Sequence, residues 1–185
     1  MKKVIKQVLG IDVAQKELVT CLGKLDEDFE LNLYAHKTFA NTAQGFELLV
    51  QWVKKQTAQS VVVRYVMEAT GVYHESLAYF LKNKDMEVSI VLPNKISNYA
   101  RSLTTKTVTD KTASEAIAQF GLERKLDSWE KPSPVFKKIK QLTRTLRWHV
   151  YIKDLGKSKK KYDTCLGDGS PWGICIGETA EMLES

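Results

Sequence analysis

Long apolar runs are missing from this sequence. No stretch approaches the roughly 20 apolar residues that a membrane-spanning helix needs, so a helical membrane protein is not expected. The basic N-terminus does not fit a signal peptide, because Lys6 and Gln7 interrupt its apolar part. Cysteine is also scarce. Cys21, Cys165 and Cys175 are an odd number without the spacing of a metal site, and we expect reduced thiols in a cytosolic protein.

The bulk composition favours one globular domain, with or without a tail. A chain of 185 residues with a hydrophobic fraction of 43% is long and apolar enough to bury a core. The formal net charge of +6 favours a polyanionic partner, although many basic proteins bind no nucleic acid. Composition alone therefore leaves the function open.

The order of predicted elements indicates an α/β fold. Strands are predicted at 4–14, 17–25, 30–40, 60–68 and 86–92, and helices begin near residues 42, 72, 94, 110 and 135. The short turns between the first three strands imply an antiparallel meander, and the later strands require right-handed crossovers. The order β-β-β-α-β-α-β-α thus predicts a ribonuclease H-like mixed five-stranded sheet with the first strand near its centre.

The C-terminal part differs in kind from the rest. From about Thr145 the helical periodicity fades, five lysines fall within 153–161, and five glycines fall within 156–177. We therefore predict a domain at 1–125, the start of a helical linker at 126–147, and a basic, poorly structured tail at 148–185.

One carboxylate stands inside the first predicted strand. Asp12 lies in the apolar run 8–14, where an unpaired buried charge is costly. It is either a cap or salt-bridge partner at a strand end, or a metal ligand that faces a cleft. Glu68 ends the fourth predicted strand, which neighbours the first in this layout. Two acids at corresponding ends of adjacent central strands favour the metal-ligand interpretation.

Asp110 is the third candidate acid, at the start of a predicted helix. As an N-cap it would contribute about 1 kcal/mol, and a cap can also bind metal. Three carboxylates within about 4 Å would repel by a few kcal/mol per pair, so such a cluster needs divalent cations or raised pKa values. Carboxylates without Cys or His suit Mg²⁺ or Mn²⁺, and two such ions can catalyse in-line phosphoryl transfer.

Several further residues are candidates for contact with nucleic acid. Thr70 and Gly71, at a helix entry, either present backbone N–H groups to a phosphate or simply form a turn. His74 either contacts a phosphate or is a surface or capping residue. A basic run, with Tyr99 interleaved, either binds a phosphodiester backbone or is a solvated helix face. Its members are Lys95, Arg101, Lys106 and Lys111.

Three motifs together resemble one protein family. They are Gly-Ile-Asp-Val-Ala at 10–14, Glu-Ala-Thr-Gly-Val-Tyr at 68–73 and Thr-Asp-Lys at 109–111. This set, over about residues 4–144, resembles the Piv/MooV-type insertion-sequence transposases and invertases, the insertion-sequence 110 family. The resemblance implies a domain similar to Holliday-junction resolvases with a DEDD acid set, in which Asp12, Glu68 and Asp110 are the first three acids. It also implies Mg²⁺ or Mn²⁺, DNA, a structured guide RNA, a homo-oligomer and a bacterial, nucleoid-associated cytoplasmic location.

The chain departs from the family pattern at two places. The fourth acid usually follows the third by three residues, and that position is Ala113 here. Glu115 is the nearest acid, a weak candidate ligand because its offset of five residues points to another helix face. Family members also continue into a coiled coil and a domain with a DNA-attacking serine, whereas the helical pattern here stops at residues 141–144, as expected for a C-terminally truncated member.

Three classes of function follow. The first is a metal-dependent DNA recombinase domain of a transposase, incomplete without the serine domain. The second is a non-catalytic remnant that binds nucleic acid or regulates the full-length enzyme, and a nuclease of branched DNA is the enzymatic alternative. An actin-like ATPase or sugar kinase also begins with a Gly-Ile-Asp strand, but it needs a second such domain and a glycine-rich phosphate loop that this sequence lacks.

Overall fold

The computed structural model describes residues 2–69, 71–103 and 109–133, together with residues 135, 138, 139, 142, 143, 145 and 146. The chain divides into two units, Met1–Lys131 and Pro132–Ser185. Within the second unit, the described positions from 135 to 146 are helical, where a helix was predicted. The predicted tail at 148–185 lies outside the described residues, and the predicted domain boundaries stay predictions. No helix in the described ranges has both the length and the apolar content to cross a bilayer.

The first unit contains five strands and four helices in the described ranges, in the predicted order. The strands are β1 (Val4–Val13), β2 (Glu17–Asp26), β3 (Leu31–Ala40), β4 (Val63–Glu68) and β5 (Glu87–Val91). The helices are α1 (Ala43–Gln56), α2 (Glu75–Asn83), α3 (Pro93–Ser102) and α4 (Asp110–Glu123).

The strands form one mixed sheet in the order β3-β2-β1-β4-β5. β1 pairs antiparallel with β2, and β2 with β3, whereas β4 lies parallel to β1 and β5 parallel to β4. Short turns join the antiparallel strands, and α1 and α2 provide the crossovers between parallel strands. The predicted five-stranded ribonuclease H-like layout, with the first strand at the centre, is confirmed.

Helices cover both faces of β1, which explains its continuous apolar run. Leu9, Ile11 and Val13 belong to a buried cluster that includes Leu49 of α1 and Leu77 of α2. The alternate positions face the other layer. A second buried cluster joins β1, β4 and β5 to α3 and α4 through Val8, Val66, Val91, Ile96, Ile117 and Leu122. A strand that is buried on both faces carries apolar residues at successive positions, so its sequence does not alternate between apolar and polar residues.

β4 begins at Val63, three residues after the predicted start. The backbone before it serves another purpose, because the buried Gln7 side chain binds there. Gln7 Nε2 donates to the carbonyl oxygens of Ala58 and Val61 at 2.9 and 2.8 Å, and the Ala58 amide donates back to Gln7 Oε1 at 2.8 Å. These contacts satisfy a buried amide side chain and hold the entry to β4.

The N-terminus of α4 is closed by a threonine capping box. The amide of Thr112 donates to Thr109 Oγ1 at 3.2 Å, and the amide of Thr109 donates to Thr112 Oγ1 at 2.8 Å. Asp110 is therefore the first helical residue, and the alternative that Asp110 is itself the N-cap is wrong. The Asp110 carboxylate therefore does not cap α4. It lies in the first turn of the helix, where the helix dipole favours a negative charge.

α4 lies directly on the central strand. A methyl group added to Gly10 of β1 would collide with the backbone of Ser114 and Ala118, and would lie 2.7 Å from the Ala118 Cα. Eleven residues after Asp110, the helix reaches the earlier part of the strand: a methyl added to Gly121 would lie 2.8 Å from Val8 Cγ1. The helix thus runs antiparallel to β1, and its N-terminus points toward the end of β1 that carries Asp12.

Replacing Gly10 with Ala is expected to separate α4 from the sheet. The added methyl meets helix backbone, which cannot rotate aside, so we expect a loss of about 2–3 kcal/mol in unfolding free energy, measured by urea denaturation. Gly23→Ala is the matched control, because its methyl would meet only the side-chain ends of Leu33 and Leu122. Equal losses in the two variants would contradict a special role for Gly10.

Candidate functional site

Asp12 and Glu68 lie at the same end of two neighbouring parallel strands, β1 and β4. Ile11 of β1 pairs with Met67 of β4 in parallel register, and each acid follows directly along its own strand. Asp12 comes two residues after Gly10, and Glu68 two residues after Val66, so both share the sheet face on which α4 packs. The predicted juxtaposition of these two acids is present in the structure.

Asp110 approaches the same point from the helix layer. Three influences raise the pKa of Asp12 to about 6: burial is the largest, followed by the Asp110 and then the Glu68 carboxylate. A hydrogen bond from the Val13 backbone opposes them. Asp12 is half-buried, on the central strand of the sheet. The structure therefore brings all three sequence-predicted acids into electrostatic contact.

The trio is open and does not form a closed ligand cage. Within the described ranges, no three His, Cys, Asp or Glu side chains stand close enough together to hold a metal ion. Mutual repulsion between like charges favours such spacing, and a divalent cation would offset that repulsion. The donor chemistry fits the implied ion, because carboxylate oxygens are the ligands that Mg²⁺ and Mn²⁺ prefer. Asp12, Glu68 and Asp110 are the residues that could hold it.

Glu115 points away from this trio. Its Oε1 lies 2.9 Å from Nε2 of His36 on β3, and its charge acts on the buried Cys21 of β2, whose pKa is raised mainly by burial. Glu115 is not among the groups that shift the pKa of Asp12. Five residues along a helix is an offset of about 140°, which turns this side chain toward β2 and β3. The weak assignment of Glu115 to the metal site therefore has no support from its contacts.

Of the residues predicted to contact nucleic acid, some lie close to the three acids and others lie on α3. Gly71 is exposed with φ of +57°, a conformation that glycine adopts readily and that a turn here requires. Lys111 is exposed beside Asp110, whereas Lys95 and Arg101 are exposed on α3. Thr70 and Lys106 lie outside the described residues. His74 occupies the N-cap position of α2 without a capping hydrogen bond from its side chain.

Asn41 is a residue near the site that the sequence pattern did not single out for this role. Thr42 caps α1, accepting from the Gly45 amide at 3.2 Å, so the Asn41 side chain is not needed there. Its Nδ2 instead donates to the carbonyl oxygens of Ala14 at 2.9 Å and Tyr73 at 3.3 Å. Asn41 thereby joins the turn that follows Asp12 to the segment that follows Glu68. Only the tertiary contact reveals this function.

The raised pKa of Asp12 predicts a pH-dependent effect of the isosteric variant Asp12→Asn in metal-free buffer. An acid whose folded pKa lies above its unfolded value of 3.8 stabilises the fold fully below that value, and the stability is lost as the pH rises through about 6. The amide cannot ionise, so Asp12→Asn should match the wild type near pH 4. Near pH 7.5 it should be more stable by about 1–2 kcal/mol, after allowing for solvent screening at a half-exposed group.

Urea denaturation of both proteins across this pH range, with a chelator present, measures the difference. A difference that stays constant from pH 4 to 7.5, or a less stable Asp12→Asn at neutral pH, would show that ionised Asp12 is not strained in the fold. Comparing the two proteins at each pH cancels the titration of the groups that do not interact with Asp12.

Removing the Asn41 side chain is expected to loosen both segments that it joins. Asn41→Ala deletes two exposed hydrogen bonds, worth about 0.5 kcal/mol each, and should increase amide hydrogen exchange at 14–16 and 71–74. Exchange in α4 should not change. Asn32→Ala, at an exposed position of β3, is the control. Unchanged exchange at 71–74 in Asn41→Ala would mean that the segment is held by other contacts.

Comparison with known proteins gives a family match that covers most of the chain. The family model DEDD_Tnp_IS110, described as "Transposase", matches residues 9–167. The pilin gene-inverting protein of Moraxella bovis is 32% identical over 128 residues, which is 69% of this chain and 38% of that protein. The corresponding protein of Moraxella lacunata shows the same identity and coverage. The present chain thus spans well under half the length of these relatives.

Two solved structures show a distant likeness. Thermus thermophilus RuvC in complex with a Holliday junction has a TM-score of 0.48 and 9% identity, over 66% of this chain and 99% of that one. The yeast mitochondrial Holliday junction resolvase has a TM-score of 0.47 and 13% identity, over 66% of this chain and 81% of that one. The family assignment depends on the sequence match alone: over residues 9–167, this chain belongs to the insertion-sequence 110 family of DEDD transposases.

Proposed function

We propose that this chain is the acid-cluster domain of a DNA transposase or recombinase, and that Asp12, Glu68 and Asp110 bind Mg²⁺ or Mn²⁺ for phosphoryl transfer on DNA. The observation that carries the proposal is that Asp110 of α4 and Glu68 of β4 both act on Asp12, whose pKa burial and these two carboxylates together raise to about 6. Such charge concentration lowers stability without a cation and is typical of sites with a function.

The three carboxylates come from different elements, and each has a supporting contact. β1 and β4 hold Asp12 and Glu68 through their parallel register, and the capping box holds the first turn of α4 with Asp110. Divalent cations bound there would supply the charge that activates a nucleophile and stabilises a leaving oxygen. Lys111, next to Asp110 on the exposed start of α4, is placed to neutralise a phosphate near the acids.

The partners follow from the family. Membership in a transposase family supports DNA as the substrate class. A structured guide RNA, a homo-oligomer and action at the nucleoid in the bacterial cytoplasm belong to the same proposal. Because the chain spans 38% of the length of its Moraxella relatives, the activity of a complete transposase is also proposed rather than assigned to this chain.

A second function is favoured by two observations. Ala113 stands where the family's fourth acid is expected, and no ready set of three ligands occurs within the described ranges. These features favour a domain that binds nucleic acid without cutting it and that regulates a full-length transposase. Both proposals predict DNA binding, and they differ in the need for a metal.

Metal binding separates the two proposals. Titration calorimetry with Mn²⁺ on the whole chain should show binding that Asp12→Asn and Asp110→Asn each weaken by roughly 10- to 100-fold, since each removes one of the three carboxylates. Glu47→Gln is the control, because that exposed carboxylate pairs with Lys84 at 3.0 Å on another face. The absence of Mn²⁺ binding in the wild type, or an equal effect of the control, would exclude the metal site and leave the regulatory function.

A further inference from the structure

A groove of about 610 Å³ lies beside the edge strand β5. It runs between α3 on one side and the C-terminal end of α4 with the following segment, Arg124–Asp127, on the other. Phe120, which lies in the groove, comes ten residues after Asp110 along α4, which corresponds to about 15 Å along the helix axis. This part of the groove is therefore separate from Asp110, whereas Val91, which also lines the groove, pairs with Glu68.

The two walls of the groove are basic. Lys95, Asn98 and Ser102 follow one face of α3, and Arg124 and Lys125 stand opposite. All three cationic side chains are exposed, and Asp127 is the one carboxylate among the described residues that line the groove. Positive charge on both sides of an open groove suits an extended polyanion better than a compact ligand.

The floor of the groove is aromatic. Tyr99 is 9% exposed, and its ring meets that of Phe120 edge to face, with 5.2 Å between ring centroids. Burial, followed by a hydrogen bond to the Glu123 carboxylate, raises the pKa of Tyr99, so its hydroxyl keeps its proton. The contribution of Tyr99 to the groove is therefore its ring.

We propose that this groove binds a single strand of nucleic acid, with phosphates between Lys95 and the pair Arg124 and Lys125. Basic walls over an aromatic floor are the usual construction of sites for single strands. The choice of nucleic acid as the ligand rests on the proposed function, but binding in the groove requires neither metal nor the three acids. The groove is thus a second contact, which holds a strand beside the acid site.

Fluorescence anisotropy with labelled oligothymidylate and oligouridylate tests the groove, on the whole chain and with EDTA present. Arg124→Gln and Lys125→Gln should each weaken binding about five- to tenfold at low salt and reduce the salt-dependence slope by about 0.7. Tyr99→Phe keeps the ring and removes only a hydroxyl that already has Glu123 as its partner, so it should change affinity less than about twofold. The ratio between the two oligonucleotides shows whether the groove prefers DNA or RNA.

Three controls make the outcome decisive. Lys54→Gln removes an exposed charge from α1, on the opposite face of the sheet, and should change affinity less than about twofold. Glu47→Gln should bind like the wild type, and because EDTA is present throughout, failure of the metal site and failure of the groove give different results. Equal losses for Lys54→Gln and Arg124→Gln, or equal competition by oligoglutamate, would overturn the proposal in favour of general charge attraction or an acidic peptide.

Discussion

The close contact between α4 and Gly10 is the constraint on which the candidate site depends. Any side chain at this position would meet the helix backbone near Ser114 and Ala118, so glycine sets the distance between the helix and the central strand. That distance decides how far the first turn of α4 reaches, and thus whether Asp110 acts on Asp12. The Gly-Ile-Asp motif therefore combines two functions: its glycine places a helix, and its aspartate meets the acid that the helix carries.

The three candidate acids repel one another, and the packing around them holds them near each other despite that repulsion. Two acids share one sheet edge and a third arrives on a helix, and the resulting repulsion adds to the burial that raises the pKa of Asp12 to about 6. Packing on both faces of β1 and a threonine capping box supply the stability that offsets this repulsion. An arrangement of this kind is typical of functional sites, where local strain is tolerated because a ligand relieves it.

The segment that follows α4 covers part of the edge strand β5. Arg64 of β4 donates to Ser89 Oγ at 3.0 Å and to the Leu126 carbonyl at 2.8 Å, and the Trp129 amide donates to the Val88 carbonyl at 2.7 Å. These contacts cover part of an edge strand that would otherwise be open to pairing with other chains. They also form one wall of the basic groove, so a single segment both closes the sheet and shapes a candidate binding surface.

The element order and the ribonuclease H-like layout could be predicted from the amino-acid sequence, because apolar periodicity is a local property, and short motifs marked three acids as candidates. Features that depend on contacts between distant residues became visible only in the folded chain. In the folded chain, Thr109 rather than Asp110 caps α4, and Glu115 pairs with His36. The Asn41 side chain donates a hydrogen bond to the turn after Asp12. The neighbours of a residue in sequence indicate whether it could cap a helix or bind a metal. Which partner it contacts in the folded chain depends on which elements the fold brings together.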